Sequence, residues 1–72
     1  AGNVYEFEYE ITLRNHKAEN ITVSVVEMLH GDWTITASSH KYDRETAQRV
    51  RFDVPVSSKG SAELTYTVEI RQ

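Results

Sequence analysis

The side chains best suited to chemistry are three histidines, His16, His30 and His40, and an acid, Asp32, that lies close to His30. Imidazole and carboxylate groups bind zinc, so His30, Asp32 and His40 would form a metal site if the two loops that carry them converge. No His-Glu-x-x-His pattern occurs, and the chain has no cysteine, which excludes a thiolate site and a disulfide. The sequence therefore predicts no metal site and no cofactor.

A second candidate for chemistry is the run Ser38-Ser39-His40. A serine nucleophile needs a positioned base and an oxyanion donor, and no strand–turn–helix elbow holds these residues. The three glycines are scattered, so no phosphate-binding loop is present. The sequence predicts a protein that is not an enzyme and has no catalytic residues.

Two aromatic residues are candidates for ligand binding. Trp33 is the only tryptophan, and we expect it to fill the core, with a stacking platform for a sugar or peptide as the alternative. Tyr42 lies in the longest polar stretch, residues 38–48, where we expect it to pack back onto the fold. The weak ligand-binding candidates are therefore Trp33, Tyr42, His30 and His40.

Composition limits the partners. The 72 residues carry a net charge of −3 with both signs interspersed, whereas binding to nucleic acid needs a clustered basic face. No apolar run is long enough to span a membrane. A length of 72 residues allows one domain at most, and the chain starts without Met, so we expect a single domain, residues 1–72, that is an excised piece of a longer protein.

Alternation of apolar and polar residues predicts five strands. In the first, Val4–Leu13, a row of glutamates on the other face is either a cation-binding stripe or a solvated surface. The second strand starts at Ile21, and two adjacent valines predict a β-bulge or a strand with both faces buried. Gly31 is expected to allow a tight turn before the third strand, 33–37, and the last two strands cover 50–56 and 62–70. The predicted inward residues of the first strand are Tyr5, Phe7, Tyr9, Ile11 and Leu13, its glutamates are Glu6, Glu8 and Glu10, and the bulge is placed at Val25 and Val26.

Short polar connections predict antiparallel hairpins. One would place Leu13 beside Ile21. Another would pair Val56 with Ala62, which sets Phe52 opposite Tyr66 and Arg49 opposite Glu69. Pro55 cannot donate to a ladder, so this end of its strand should lie at an edge or be unpaired. The predicted fold class is all-β, a small antiparallel immunoglobulin-like or fibronectin-like β-sandwich of about five to seven strands.

Several segments together resemble the C-terminal part of a bacterial domain-of-unknown-function family, numbered 4139, whose members are mucoidy-inhibitor-like proteins. The segments are Tyr9–Asn20, Val26–Trp33 with its Gly-Asp-Trp, Ser38–Tyr42 with Ser-Ser-His, Arg51–Val56 with Val-Pro-Val, and Leu64–Val68. The resemblance covers nearly the whole chain. It implies that the chain is an excised C-terminal fragment, a β-sandwich end module of a periplasmic, cell-envelope or extracellular protein, and it transfers no catalytic residues.

The predicted function is a non-enzymatic β-sandwich module of a bacterial envelope or secreted protein, with a structural or protein-interaction role. The alternative is a carbohydrate- or peptide-binding module that uses Trp33 and Tyr42. The expected partners are other domains of the parent protein or a separate protein, without nucleic acid and without membrane insertion of this segment.

Overall fold

The computed structural model describes residues 2–72, which form six strands and no helix. The strands are β1 (Val4–Arg14), β2 (Ile21–Met28), β3 (Asp32–Ser38), β4 (Tyr42–Arg44), β5 (Arg49–Val56) and β6 (Ser61–Arg71). The all-β class is confirmed, and each of the five predicted strands coincides with a strand of the structure, whereas the immunoglobulin-like or fibronectin-like topology stays a prediction. Strand β4, which lies inside the stretch expected to be irregular, is additional.

The strands form two antiparallel sheets of three strands each. The first sheet has the order β1-β6-β3, and the second has the order β2-β5-β4. Strands β5 and β6 are thus the centres of different sheets, and Phe52 of β5 stacks on Tyr66 of β6 in the interior. The alternation of apolar residues in β5 and β6 places one face of each in this interior.

The two predicted hairpins are wrong. Leu13 pairs with Ala62, and Ile21 pairs with Val56, because β1 joins β6 and β2 joins β5. Phe52 does meet Tyr66, with ring centroids 4.7 Å apart, but the two rings stack between the sheets instead of lying side by side in one sheet. The predicted pair between Arg49 and Glu69 is absent for the same reason, and Arg49 pairs with Met28 in the β2–β5 register.

The prediction of a bulge in β2 is also wrong. The β2–β5 register runs without a shift through Val25 and Val26, and Val26 is 50% exposed, so its face is not buried either. The register shift lies in β3 instead, between Ile35 and Ala37. It turns Ala37 outward, although alternation had placed it on the same face as Trp33.

The core is built mainly from the inward faces of β5 and β6. Six side chains are almost completely buried, and Trp33, at 3% exposure, closes the interior from β3, which confirms its predicted place in the core. The six are Val50, Phe52, Val54, Val56, Leu64 and Val68. With no cysteine in the chain, the interior packing of these side chains is the main source of stability.

The conformation of Gly31 and the position of Pro55 agree with the sequence predictions. Gly31 has a φ of 80° where the chain passes from β2 in one sheet to β3 in the other. Pro55 lies in the central strand β5, but on the side of β4 the last pair of that ladder is Tyr42 with Phe52. The Asp53 N–H points toward that side, to the Lys41 carbonyl, so alternation places the nitrogen of Pro55 there as well, beyond the end of β4.

Asn15 connects the two sheets at the end of the fold where β1 and β5 finish. Its side chain is 3% exposed, and its Nδ2 donates to the carbonyls of Glu19, Val56 and Ser57 at 2.7, 3.2 and 3.1 Å. Its Oδ1 accepts from the Lys17 N–H at 2.9 Å. The sequence alone does not reveal this role of Asn15, because its long-range partners lie 41 and 42 residues away.

Candidate functional site

The structure separates the three residues of the hypothetical metal site. His30 and Asp32 lie at the start of β3, and His40 follows its end. A strand of seven residues spans roughly 20 Å, so the two loops do not converge. Within residues 2–72 no group of three histidine or acidic side chains is arranged to bind a metal ion.

The serines next to His40 have local structural roles. The Ser39 hydroxyl lies 2.8 Å from His40 Nδ1, and it accepts a hydrogen bond from the Thr65 N–H at 3.0 Å. The Ser39 N–H in turn donates to the Thr65 carbonyl at 2.9 Å, and the Ser38 hydroxyl donates to the His40 carbonyl at 2.6 Å. These contacts fasten the β3–β4 connection to β6. In the described chain no carboxylate bonds to the His40 ring, so no triad is assembled.

Trp33 is not available as a stacking platform. Its Nε1 donates to the Ala47 carbonyl at 2.9 Å, and the guanidinium of Arg44 lies 4.2 Å from the centre of its ring. Tyr42, in contrast, is 40% exposed and borders an open cavity of about 690 Å³ between the β3 and β4 edges. Its ring packs on Phe52 at 5.8 Å, as expected for an anchor.

The largest exposed aromatic surface lies on the first half of β1. Tyr5, Phe7 and Tyr9 point to the same side of their sheet as the core residues of β6, but they are 42%, 44% and 42% exposed. We call these three residues the aromatic face. Alternation predicted their direction correctly, whereas their exposure contradicts the expectation of burial, because the second sheet leaves them uncovered. Farther along β1, Ile11 and Leu13 do pack against the core.

The aromatic face is continuous with the interior. Phe7 and Tyr9 are 6.5 Å apart, Tyr9 lies 5.2 Å from Tyr66, and Tyr66 stacks on Phe52 at 4.7 Å. With Tyr42, which packs on Phe52, five rings in succession connect β1 of the first sheet to β4 of the second. Because the inner rings are locked by packing, the outer rings are held on a rigid base.

The opposite side of β1 carries the glutamates Glu6, Glu8 and Glu10, which we call the acidic row. Across the β1–β6 ladder they face Glu69, Thr67 and Thr65, so no cation stands directly opposite them. The one cation of this ladder that pairs with an acid is Arg71, which contacts Glu69 at 3.2 Å. The acidic row is exposed to solvent, and no metal-type cluster includes it in the part of the chain that is described.

Tyr66, beneath the aromatic face, is the group whose ionisation is most perturbed. Burial raises its pKa to about 12, and the nearby Glu27 carboxylate and Tyr9 add to the shift. Glu27 stands at an inward position near the end of β2. An inward charge on an edge strand discourages pairing with another chain, so β2 is a protected edge.

We expect the stability of the fold to decrease between pH 10 and pH 12 because of Tyr66. The unfolded chain releases this proton near pH 10 and the folded chain near 12, so folding becomes less favourable as the pH rises through this window. The loss should reach about 2 kcal/mol, measured by urea unfolding at a series of pH values. Tyr66→Phe should remove most of this pH dependence, and an unchanged slope in that variant would contradict the assignment.

Comparison with known proteins identifies no relative. No protein-family model matches the chain, no curated protein matches it, and no solved structure matches it. Membership in the family numbered 4139 therefore stays a prediction from the sequence. Within residues 2–72 no helix is long and apolar enough to cross a membrane.

Proposed function

We propose that this chain is a non-enzymatic interaction module, and that it binds a polypeptide at the aromatic face of β1. The observation that carries the proposal is the exposure of three aromatic side chains on the core side of an edge strand. Tyr5, Phe7 and Tyr9 are each more than 40% exposed, and apolar surface gathered in this way is typical of an interaction site. The family resemblance adds that the parent is a bacterial envelope or secreted protein, which is part of the proposal.

Polypeptide is favoured over sugar by the position of the rings. Sugar binding through Trp33 would require its ring to be free, but it is buried under Arg44. The remaining candidate for that alternative is Tyr42, beside its polar cavity. The aromatic face lies along an extended strand, where successive rings are two residues apart and match the spacing of side chains in a second strand.

A displayed peptide library tests this function. We expect selection of random ten-residue peptides on the folded protein to enrich binders that lose at least tenfold in affinity for Phe7→Thr/Tyr9→Thr. Truncation of a central aromatic side chain in an interface costs about 2 kcal/mol, which is more than the roughly 1.4 kcal/mol of a tenfold change in affinity. Threonine keeps the strand propensity of β1, so the fold should persist.

The matched control is Val26→Thr/Met28→Thr. These two side chains are 50% and 57% exposed on the outer face of β2, so their replacement also removes exposed apolar surface. We expect the selected peptides to bind this variant as well as the unmodified protein. Failure to enrich any binder, or binders that treat both double variants alike, would overturn the proposed function.

A further inference from the structure

One edge of β1 has backbone groups that are free to pair. Asn3 and Gln72 exchange two backbone hydrogen bonds of 2.9 Å, and the Asn15 N–H donates to the Gly60 carbonyl at 2.9 Å. In an antiparallel ladder the bonded positions alternate, so the odd residues between them face β6. The even residues from Val4 to Thr12 therefore direct their N–H and C=O groups away from β6, where no described strand pairs with them.

The side chains at these even positions are acidic. Glu6, Glu8 and Glu10 form the acidic row, and the neighbouring strand β6 adds Glu63 and Glu69 to the same outer face. Arg71 compensates only Glu69. Because opposite charges directly across a ladder are stabilising, this face fits a strand with basic residues at every second position.

The odd positions of β1 carry the apolar side chains that an added strand would contact. The aromatic face provides apolar contacts on the core side, where the intervening residues of an added strand would point. We propose that β1 accepts one extended polypeptide strand in which basic and apolar residues alternate, and that this strand enlarges the first sheet from three strands to four. The inference rests on the proposed function and specifies its partner.

A second copy of the chain does not fit this edge. In an antiparallel β1–β1 pair, only residues of the same parity lie opposite each other, so each acidic row would face the other. Three glutamates on each copy would then repel across the ladder. The same charges that suit a basic strand thus prevent the edge from pairing with itself.

The test uses a seven-residue peptide with lysine at its four odd positions and valine between them, capped at both ends. We expect the protein to bind it at least tenfold more tightly than the peptide with glutamate in place of lysine, measured by calorimetry in 50 mM salt. A peptide of the same composition with its lysines in one block should bind weakly, because it lacks the alternation. N-methylation of the alternate peptide amides that point toward β1 should abolish binding, because these amides form the ladder. N-methylation of the alternate amides that point away from β1 should not.

Variants of the protein locate the binding edge. Glu8→Lys should weaken binding of the lysine–valine peptide about tenfold and Glu8→Gln by less, because one favourable cross-strand pair is lost or reversed. Glu19→Lys, which makes the same change of charge in the exposed β1–β2 loop, should leave the affinity unchanged. On binding, the amides of Glu6, Glu8 and Glu10 should gain protection from hydrogen exchange, whereas those of Phe7 and Tyr9 already pair with β6.

Three outcomes would overturn the inference. One is equal binding of the lysine and glutamate peptides, and another is equal effects of the two N-methylation patterns. The third is a dimer, seen by sedimentation of the protein alone, in which those same even-numbered amides are protected. If library-selected peptides still depend on Phe7 and Tyr9 in any of these cases, the proposed function survives and only the strand inference fails.

Discussion

Replacement of Phe52 by alanine is expected to remove about 3–5 kcal/mol from the free energy of unfolding. The ring is completely buried in the central strand β5 and stacks on Tyr66 from the opposite sheet. A chain of this length has a total stability of about 4–11 kcal/mol, so the loss is about a quarter of the total or more, and at the lower end of that range the variant is largely unfolded at 25 °C. Urea unfolding followed by the fluorescence of buried Trp33 measures the change.

Two further substitutions make the Phe52 result interpretable. Phe52→Leu retains most of the buried volume and should cost only about 1–1.5 kcal/mol, so its unfolding curve remains measurable if the alanine variant does not fold. Tyr42 packs on Phe52 from the outside and is 40% exposed. Tyr42→Ala should therefore lower the free energy of unfolding by less than half as much as Phe52→Ala. A loss below 1.5 kcal/mol for Phe52→Ala would mean that the two sheets do not meet at this ring.

The sequence predicts the strands of this protein better than their partners. Alternation shows which side of β5 or β6 is apolar, and Phe52 and Tyr66 indeed point inward. It contains no information on whether two inward rings meet along a ladder or across the interior. Both arrangements bury the same residues, and the short turn at Ser57–Gly60 is compatible with either a hairpin or a passage between the sheets.

Burial along β1 could not be predicted for a related reason. The inward residues from Tyr5 to Leu13 repeat with one period, but only Ile11 and Leu13 pack against the core. Which part is covered depends on the position of the second sheet, whose strands have at most 8 residues against 11 in β1. The sequence therefore could not identify the aromatic face as a site. Its residues alternate like core residues, and they differ only in that the second sheet does not cover them. The signal that could have found it is the length of the apolar alternation in β1.

The acidic row of β1 is a second case in which alternation predicts the face of a strand but not its pairing. Their position on the outer face follows from alternation, but their significance depends on β1 being an edge strand. A hairpin with β2 would also pair only one side of β1, and the sequence does not show which set of backbone groups it would use. In the structure the odd residues pair with β6, and within residues 2–72 no strand pairs with the even residues that carry the acidic row. We infer that acidic side chains beside these backbone groups favour a basic strand at this edge and disfavour a second copy of the chain.

Asn15→Asp hardly changes the volume of the side chain, but we expect it to lower the free energy of unfolding strongly. The amide donates its two hydrogens to three carbonyl oxygens, and a carboxylate of the same shape has no hydrogen to donate. It would place a buried negative charge against those oxygens. Because a net hydrogen bond contributes about 1 kcal/mol and an uncompensated buried charge costs several, we expect a loss of about 3–5 kcal/mol at pH 7. Asn15→Ala, which removes the bonds without adding charge, should lose about 2–3 kcal/mol.

The dependence on pH separates charge from shape in this prediction. As the pH falls toward 4, the new carboxyl takes up a proton in the folded chain before it does so in the unfolded chain. The deficit of Asn15→Asp relative to the unmodified protein should then shrink, whereas that of Asn15→Ala should stay constant. Asn20→Asp is the matched control, because the Asn20 side chain accepts a hydrogen bond from the Ser58 N–H and a carboxylate accepts it equally well. Equal losses for the two aspartate variants at pH 7 would show that the Asn15 amide does not join the β1 and β5 ends, because only a donor in that position makes the two sites differ.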